Sequence, residues 1–307
     1  MTTNRFYHQH LLSLDKFKKS DLQLVLETAQ QLKLHPKPTL LNNKIIAHCF
    51  FESSTRTRLS FESASLRLGA QNIGFSDSRS LSTQKGESLS DTINVISSYA
   101  DALVIRHPES GSAALAAHVS RCPVINAGDG ANQHPTQALL DLYTIQECQH
   151  KLEQLSIGIT GDLKHARTIH SLIDACSLFN MTFYFVAVKS LALPPEIIQK
   201  LDSQGIKYSI HESLDEVMSK LDILYITRIQ KERIANSEQF CENFKLSSGL
   251  LKDAKDNLKI LHPLPRLEEL PAEIDHSPYA YYFQQAKNGV IVRQAILALL
   301  LNESLPC

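Results

Sequence analysis

The stretch Ile45-Ile46-Ala47-His48-Cys49-Phe50-Phe51-Glu52-Ser53-Ser54-Thr55-Arg56-Thr57-Arg58 decides the fold. Residues 45–51 are apolar almost throughout, as in a strand covered on both faces, and such strands belong to parallel sheets flanked by helices. The polar run that follows leads into residues 57–68, which read as a helix closed by Gly69. A buried strand delivering the chain into a helix is half of a β-α-β unit.

The same alternation extends in both directions. Upstream, residues 16–34 place Leu22, Val25, Leu26, Ala29 and Leu32 at helical spacing and stop before Pro36. Downstream, apolar runs at 102–105 and 123–126 alternate with helical patterns at 91–99 and 135–147. The second half repeats the architecture with strand candidates at 155–160, 183–188, 207–211, 222–227 and 258–261. The expected fold class is α/β: two doubly wound parallel-sheet domains joined by long helices, with the active site in the cleft between them. A chain of 307 residues suits two domains of roughly 150. The polar stretch Gln149-His150-Lys151 marks the expected boundary, giving domains 1–150 and 151–289. The last helix, about 290–307, is apolar nearly all round and is expected to pack back onto the first domain.

Charge and cysteine usage narrow the function. Lys+Arg number 31 against 32 Asp+Glu, and the balance holds in each half, with 14 basic and 13 acidic residues up to position 150. Neither half offers a broad footprint for nucleic acid, although a local patch for one small anion remains open. The six cysteines are never closer than 26 residues, so no Cys-x-x-Cys metal or redox spacing exists. No His-Glu-x-x-His is present, and neither a metal nor a cofactor is expected. The N-terminal residues lack the pattern of a signal peptide, and the apolar run 295–301 falls far short of the roughly 20 residues that cross a bilayer. A soluble, cytoplasmic protein with no membrane partner is expected.

Three constellations could carry chemistry. Ser54-Thr55-Arg56-Thr57-Arg58 sits between strand and helix, where free amides and the positive end of the helix dipole favour an anion. The planar fork of Arg56 suits two phosphate oxygens. Simple N-capping by Ser or Thr is the competing reading. Residues 126–137 run through Gly128-Asp129-Gly130 into a helix with Pro135 in its first turn, so His134 and Gln137 can face the same ligand. A histidine there can donate to a carbonyl oxygen that becomes negative, or only cap the helix. Arg106, Arg167 and Arg228 stand at or just beyond strand ends, the side of a parallel sheet where ligands bind, and Lys85 lies in a polar loop. His262-Pro263-Leu264-Pro265-Arg266 ends a strand in a proline loop whose carbonyls could act as acceptors. A dinucleotide fingerprint is missing around Gly158 and Gly161, which disfavours a nicotinamide dehydrogenase.

Phe51-Glu52-Ser53-Ser54-Thr55-Arg56-Thr57-Arg58, His134-Pro135-Thr136-Gln137 and His262-Pro263-Leu264-Pro265-Arg266, in this order, resemble the transcarbamoylases, and the resemblance covers essentially the whole chain. It implies carbamoyl phosphate as donor, held by Ser54, Thr55, Arg56 and Thr57. Arg106 would bridge phosphate and carbonyl oxygen, and His134, with Thr57 and Arg106, would stabilise the oxyanion. Gln137 and the Pro263 carbonyl would fix the carbamoyl amide. Leu264 stands where the ornithine-specific branch is expected to carry cysteine, so the resemblance favours aspartate, with Arg167, Arg228, Gln230, Lys85 and Leu264 at the acceptor site. Ser82 and Lys85 would enter the site of a neighbouring chain, implying a homotrimer, and regulatory chains, which accompany some relatives, would complete a dodecamer. Glu52 and Arg233 would hold the arginines. Ala166 stands where glycine is often found. The implied activity is carbamoyl transfer to L-aspartate, a step of pyrimidine biosynthesis. The alternatives are a different acceptor such as ornithine, or a catalytically silent binding subunit of the same fold.

Overall fold

A computed structural model describes residues 4–76, 86–228 and 245–304. It forms two compact units, residues 1–140 with 287–307 and residues 141–286. Each is built around one wholly parallel sheet.

In the first unit β1 (Ile45–Phe50), β2 (Gln71–Phe75), β3 (Ala102–His107) and β4 (Val124–Asp129) lie in the order β2-β1-β3-β4. They alternate with α1 (Lys19–Leu34), α2 (Thr55–Arg67), α3 (Leu89–Ile96) and α4 (Ser112–Val119). β1, β3 and β4 are buried over most of their length, which accounts for their unbroken apolar runs. Ala47, Cys49 and Phe51 pack with Leu103, Ile105 and Val124 and with Ile93, Ala113 and Ala116 from the helices. The chain then enters α5 (Pro135–Gln149), buried from 134 to 145.

The second unit holds β5 (Ser156–Thr160), β6 (Thr182–Val186), β7 (Tyr208–His211), β8 (Ile223–Ile226) and β9 (Lys259–Leu261), in the order β7-β6-β5-β8-β9. Its helices include α6 (Arg167–Ser177) and α7 (Pro195–Ser203), and α8 (Tyr282–Leu301) follows. The two-domain α/β class expected from the sequence is the one observed. The division between units passes through α5, at 140/141, and through α8, at 286/287, whereas the polar stretch near 150 lies at the end of α5. Residues 287–301 of α8 count with the first unit, where the Arg293 guanidinium lies 4.9 Å from the Phe61 ring centroid on α2.

Candidate functional site

In the first unit the pairings Phe50↔Arg106 and Ile105↔Asn126 set the carboxyl ends of β1, β3 and β4 side by side. β1 feeds α2 through Ser54, whose extended backbone (φ −156°, ψ 102°) makes it the N-cap, so the helix starts at Thr55, two residues before the expected position. The Ser54 hydroxyl makes no cap hydrogen bond, and the first turn carries no acidic residue. The simple capping reading therefore does not describe this serine. The helix end keeps its positive potential for an external anion.

The two arginines of the motif differ. Arg58 is tied to Glu62 one turn along at 2.6 Å, while Arg56 is exposed and has no ion pair among the described residues. Desolvation by the surrounding atoms lowers the Arg56 pKa, yet a guanidinium stays charged at any physiological pH. Thr57 is buried beside it in sequence. Arg106, at the end of β3, pairs with Glu52 at 2.9 Å and donates to the Ala127 carbonyl at 3.4 Å. The expected partnership of Glu52 with an arginine is thus present within this unit.

His134 and Gln137, at the start of α5, are buried. The loop leading to them is built around Asp129, itself buried. Its Oδ1 accepts from Asn126 Nδ2 at 2.9 Å and the Gln133 amide at 3.1 Å; its Oδ2 accepts from the Gly111 amide at 3.0 Å and Asn132 Nδ2 at 3.1 Å. Gly130, at φ 55°, donates its amide to the His107 carbonyl at 2.9 Å, and a Cβ there would lie 2.6 Å from the Ser110 nitrogen. The Asp129 carboxylate therefore ties the β4–α5 loop to the start of α4, and the Gly130 amide ties it to the end of β3.

The second unit repeats the placement. Thr160↔Ile226 and Tyr225↔Leu261 align the carboxyl ends of β5, β8 and β9, so Arg167, Arg228 and the 262–266 loop all leave the same edge of the sheet. Gly161 lies at φ 107°, and a Cβ there would stand 2.1 Å from the Thr227 carbonyl oxygen, a close approach that only glycine permits. Ala166 has an ordinary backbone, φ −82° and ψ 94°, and Arg167 follows as the first residue of α6.

The end of β9 is held from two sides. The His262 amide donates to Gln285 Oε1 at 2.8 Å, Gln285 Nε2 donates to Asp141 Oδ1 at 2.7 Å, and the Tyr225 hydroxyl donates to Asp141 Oδ2 at 2.8 Å. The His262 ring is bonded to the Leu264 amide at 2.8 Å and to Glu269 Oε1 at 3.0 Å. Burial raises the Glu269 pKa, but hydrogen bonds from His262 and the Leu267 amide outweigh it and hold the carboxyl below its usual value. Pro263 and Leu264 are half-buried. Arg266 is bound bidentately to Asp275, with Nη2 2.7 Å from Oδ2.

Ser82, Lys85, Gln230 and Arg233 lie outside the described residues. The remaining expected residues thus fall into two groups. Ser54, Thr55, Arg56, Thr57, Arg106, His134 and Gln137 are at one sheet edge of the first unit, and Arg167, Arg228, Pro263 and Leu264 at one sheet edge of the second.

Residues 9–147 match the model of the aspartate/ornithine carbamoyltransferase carbamoyl-P binding domain, and residues 153–300 that of the Asp/Orn binding domain. The chain belongs to the aspartate/ornithine carbamoyltransferase family. Within this family it is 54% identical over 303 residues, 98% of each chain, to aspartate carbamoyltransferase catalytic subunit 2 of Shewanella halifaxensis. The catalytic subunit of M. jannaschii aspartate transcarbamoylase shares 45% identity with a TM-score of 0.89, covering 94% of this chain and 97% of that one. Aspartate transcarbamoylase from Trypanosoma cruzi, solved in complex with N-(phosphonacetyl)-L-aspartic acid, shares 34% identity with a TM-score of 0.91 and covers 97% of both chains.

In this member of the family, the residues that leave strand ends lie in short contiguous motifs, whereas several of those that brace them do not. Asp129 lies within the 126–137 motif, and its four-bond role shows only in three dimensions. Glu269 lies three residues beyond Arg266, with no pattern to mark it. Among the described residues, no group of three or more His, Cys, Asp or Glu side chains is placed to hold a metal ion.

Proposed function

We infer that this chain is an aspartate carbamoyltransferase, which transfers the carbamoyl group of carbamoyl phosphate to the amino group of L-aspartate and releases N-carbamoyl-L-aspartate and phosphate. The observation that carries the phosphate-donor half of the reading is the start of α2, with no side-chain cap, Arg56 unpaired among the described residues and no acidic residue in the first turn. This is a ready site for a phosphate dianion. Aspartate as acceptor is supported by the 54% identity to an aspartate carbamoyltransferase catalytic subunit.

In this reading Ser54, Thr55, Arg56 and Thr57 hold the phosphate, and Arg106 spans phosphate and carbonyl oxygen while Glu52 orients its guanidinium. His134, aided by Thr57 and Arg106, donates to the carbonyl oxygen. Gln137 and the Pro263 carbonyl hold the carbamoyl amide. Arg167, Arg228, Gln230 and Lys85 bind the two carboxylates of aspartate, beside Leu264. The neutral amine attacks the carbonyl carbon to form a tetrahedral intermediate whose oxygen is negative. The carbon–oxygen bond to phosphate then breaks, and the leaving phosphate takes the proton lost by the nitrogen. Each protein group binds or neutralises charge, so rate comes from positioning and electrostatic preorganisation.

The assembly belongs to the same proposal: a homotrimer in which Ser82 and Lys85 act in a neighbouring chain's site, with regulatory chains as further partners. Leu59 and Leu66, seven residues apart on α2, and Ile73 on the edge strand β2 are exposed, which supports contact between copies. A cytoplasmic setting for pyrimidine synthesis is likewise proposed, and among the described residues no helix is long and apolar enough to cross a membrane.

The test is a steady-state assay with carbamoyl phosphate and either aspartate or ornithine, combined with sedimentation of the purified chain. Carbamoyl-aspartate formation by a trimer is expected. A preference for ornithine would overturn the assignment of Arg228, and binding without turnover would favour a silent subunit.

A further inference from the structure

We propose that Glu269 is a positioning residue: it holds His262 in the neutral tautomer protonated at Nε2, and the unprotonated Nδ1 then accepts from the Leu264 amide and fixes the Pro263–Leu264 backbone. The inference rests on the reading that this loop meets the substrates, and it adds a residue that no motif contains.

A backbone amide can only donate. The 2.8 Å contact between the Leu264 nitrogen and His262 Nδ1 therefore makes Nδ1 an acceptor. The ring proton then sits on Nε2, which points at Glu269 Oε1 3.0 Å away. Both side chains are buried, at 1% and 8% exposure, so water does not readily replace either partner. Glu269 Oε1 also accepts from the Leu267 amide at 2.8 Å, which fixes the carboxylate in turn. The chain of contacts is carboxylate, imidazole, amide, and it ends where strain is present. Leu264 lies at φ 52°, in the left-handed region that L residues with large side chains rarely adopt.

Such a conformation persists only where the surroundings hold it, and the His262 ring is the side-chain clamp that the structure shows on the Leu264 amide. The opposite tautomer would place a proton on Nδ1 facing the Leu264 N–H, and Nε2 would face the carboxylate with a lone pair. Both contacts would become repulsive. The Gln285 contact to the His262 amide keeps the end of β9 in place independently of the ring, so loss of Glu269 should loosen residues 263–264 without unravelling the strand.

The experiment combines one spectroscopic and one kinetic readout. In protein labelled with 15N-histidine, with the His262 signals identified by their loss in His262→Gln, the pattern of a neutral Nε2–H tautomer is expected near neutral pH. An Nδ1–H tautomer or a doubly protonated ring would overturn the proposal. Glu269→Gln keeps an acceptor oxygen and should keep the tautomer, with kcat and the KM for aspartate within about 3-fold of wild type. Glu269→Leu removes the acceptor, and a loop displaced by a fraction of an ångström should cost about 10- to 100-fold in kcat/KM. The affinity for inorganic phosphate, bound in the other unit, should stay unchanged in both variants and reports that they are folded. Wild-type kinetics in Glu269→Leu would overturn the proposal. So would a loss in Glu269→Gln, where the tautomer is retained, because the charge rather than the hydrogen bond would then be at work. If the leucine variant fails to fold, the wild-type tautomer and the glutamine variant decide. If wild-type protein forms no carbamoyl-aspartate, the transferase reading fails, while the tautomer measurement still judges this inference.

Discussion

Replacing Ser54 by alanine separates helix capping from anion binding, because the two uses of the hydroxyl lead to opposite outcomes. A serine that caps a helix contributes about 1 kcal/mol through its bond to the first-turn amides. Ser54 makes no such bond, so Ser54→Ala should change the unfolding free energy by less than about 0.5 kcal/mol. A hydroxyl donating to a phosphate oxygen is worth about 1.5–3 kcal/mol, as hydrogen bonds to charged groups are. At 1.4 kcal/mol per tenfold, that is about a 10- to 150-fold rise in the KM for carbamoyl phosphate. Ser54→Asp sharpens the contrast. It places a carboxylate at a helix start that has no acidic residue in its first turn, which should stabilise the fold by about 0.3–1 kcal/mol. The same carboxylate occupies the potential that the phosphate needs, so the loss of affinity should exceed that of the alanine variant. Urea denaturation gives the first quantity, and carbamoyl phosphate titration at saturating aspartate gives the second. A Ser54→Ala protein that lost about 1 kcal/mol of stability and kept its affinity would refute the reasoning and restore the capping role.

Three further outcomes follow from the geometry. Losing one oxyanion donor costs on the order of 3 kcal/mol in the barrier, so His134→Ala should lower kcat about 150-fold with little change in phosphate binding; unchanged turnover would remove the assigned role. Asp275 is held down to about 2, from an ordinary value of 3.8, chiefly by its hydrogen bond from Arg266. Because the folded pKa is the lower one, its stabilisation is present above about pH 4 and is lost as pH falls toward 2, so Asp275→Asn should flatten the acid limb of a stability–pH curve over that window. A limb identical to wild type would show that the pair adds nothing. Gly161→Ala combines φ 107° with a Cβ 2.1 Å from a carbonyl oxygen of the neighbouring strand's end, and should cost about 3 kcal/mol or more. An unchanged denaturation midpoint would contradict the close approach.

The central strands were legible because both their faces are buried, which leaves apolar runs such as 45–51 and 102–105 with no alternation to disguise them. β2 escaped for the opposite reason. Gln71-Asn72-Ile73-Gly74-Phe75 is an edge strand largely open to solvent, and only its pairing with β1, Ile45↔Gln71 through Cys49↔Phe75, makes it a strand. α4 is alanine-rich with a weakly amphipathic pattern, and Gly111, the residue that caps its start, has a left-handed conformation that reads locally as a turn. The division at 140/141 has no signature in composition, because α5 runs through it without a break and is buried on both sides of it.

The site follows the same division between what is local and what is distant. Ser54 to Arg58, His134 to Gln137 and His262 to Arg266 are contiguous, so their chemistry can be read from a few adjacent letters. The groups that brace them are joined across the chain: Tyr225 reaches Asp141 over 84 residues and Gln285 reaches it over 144. No period or spacing connects such partners. The signal that exists is an incongruity, a carboxylate within the apolar helical stretch Ala138-Leu139-Leu140-Asp141-Leu142-Tyr143. A buried charge without donors would cost several kcal/mol, so Asp141 implies that donors converge on it. Its sequence position cannot name them. The same logic applies to Glu269, whose neighbours in sequence disclose neither the imidazole it faces nor the amide held beyond it. Residues that touch a ligand cluster where the chain leaves a strand, whereas residues that hold them in place are distributed by the fold, and only the fold discloses them.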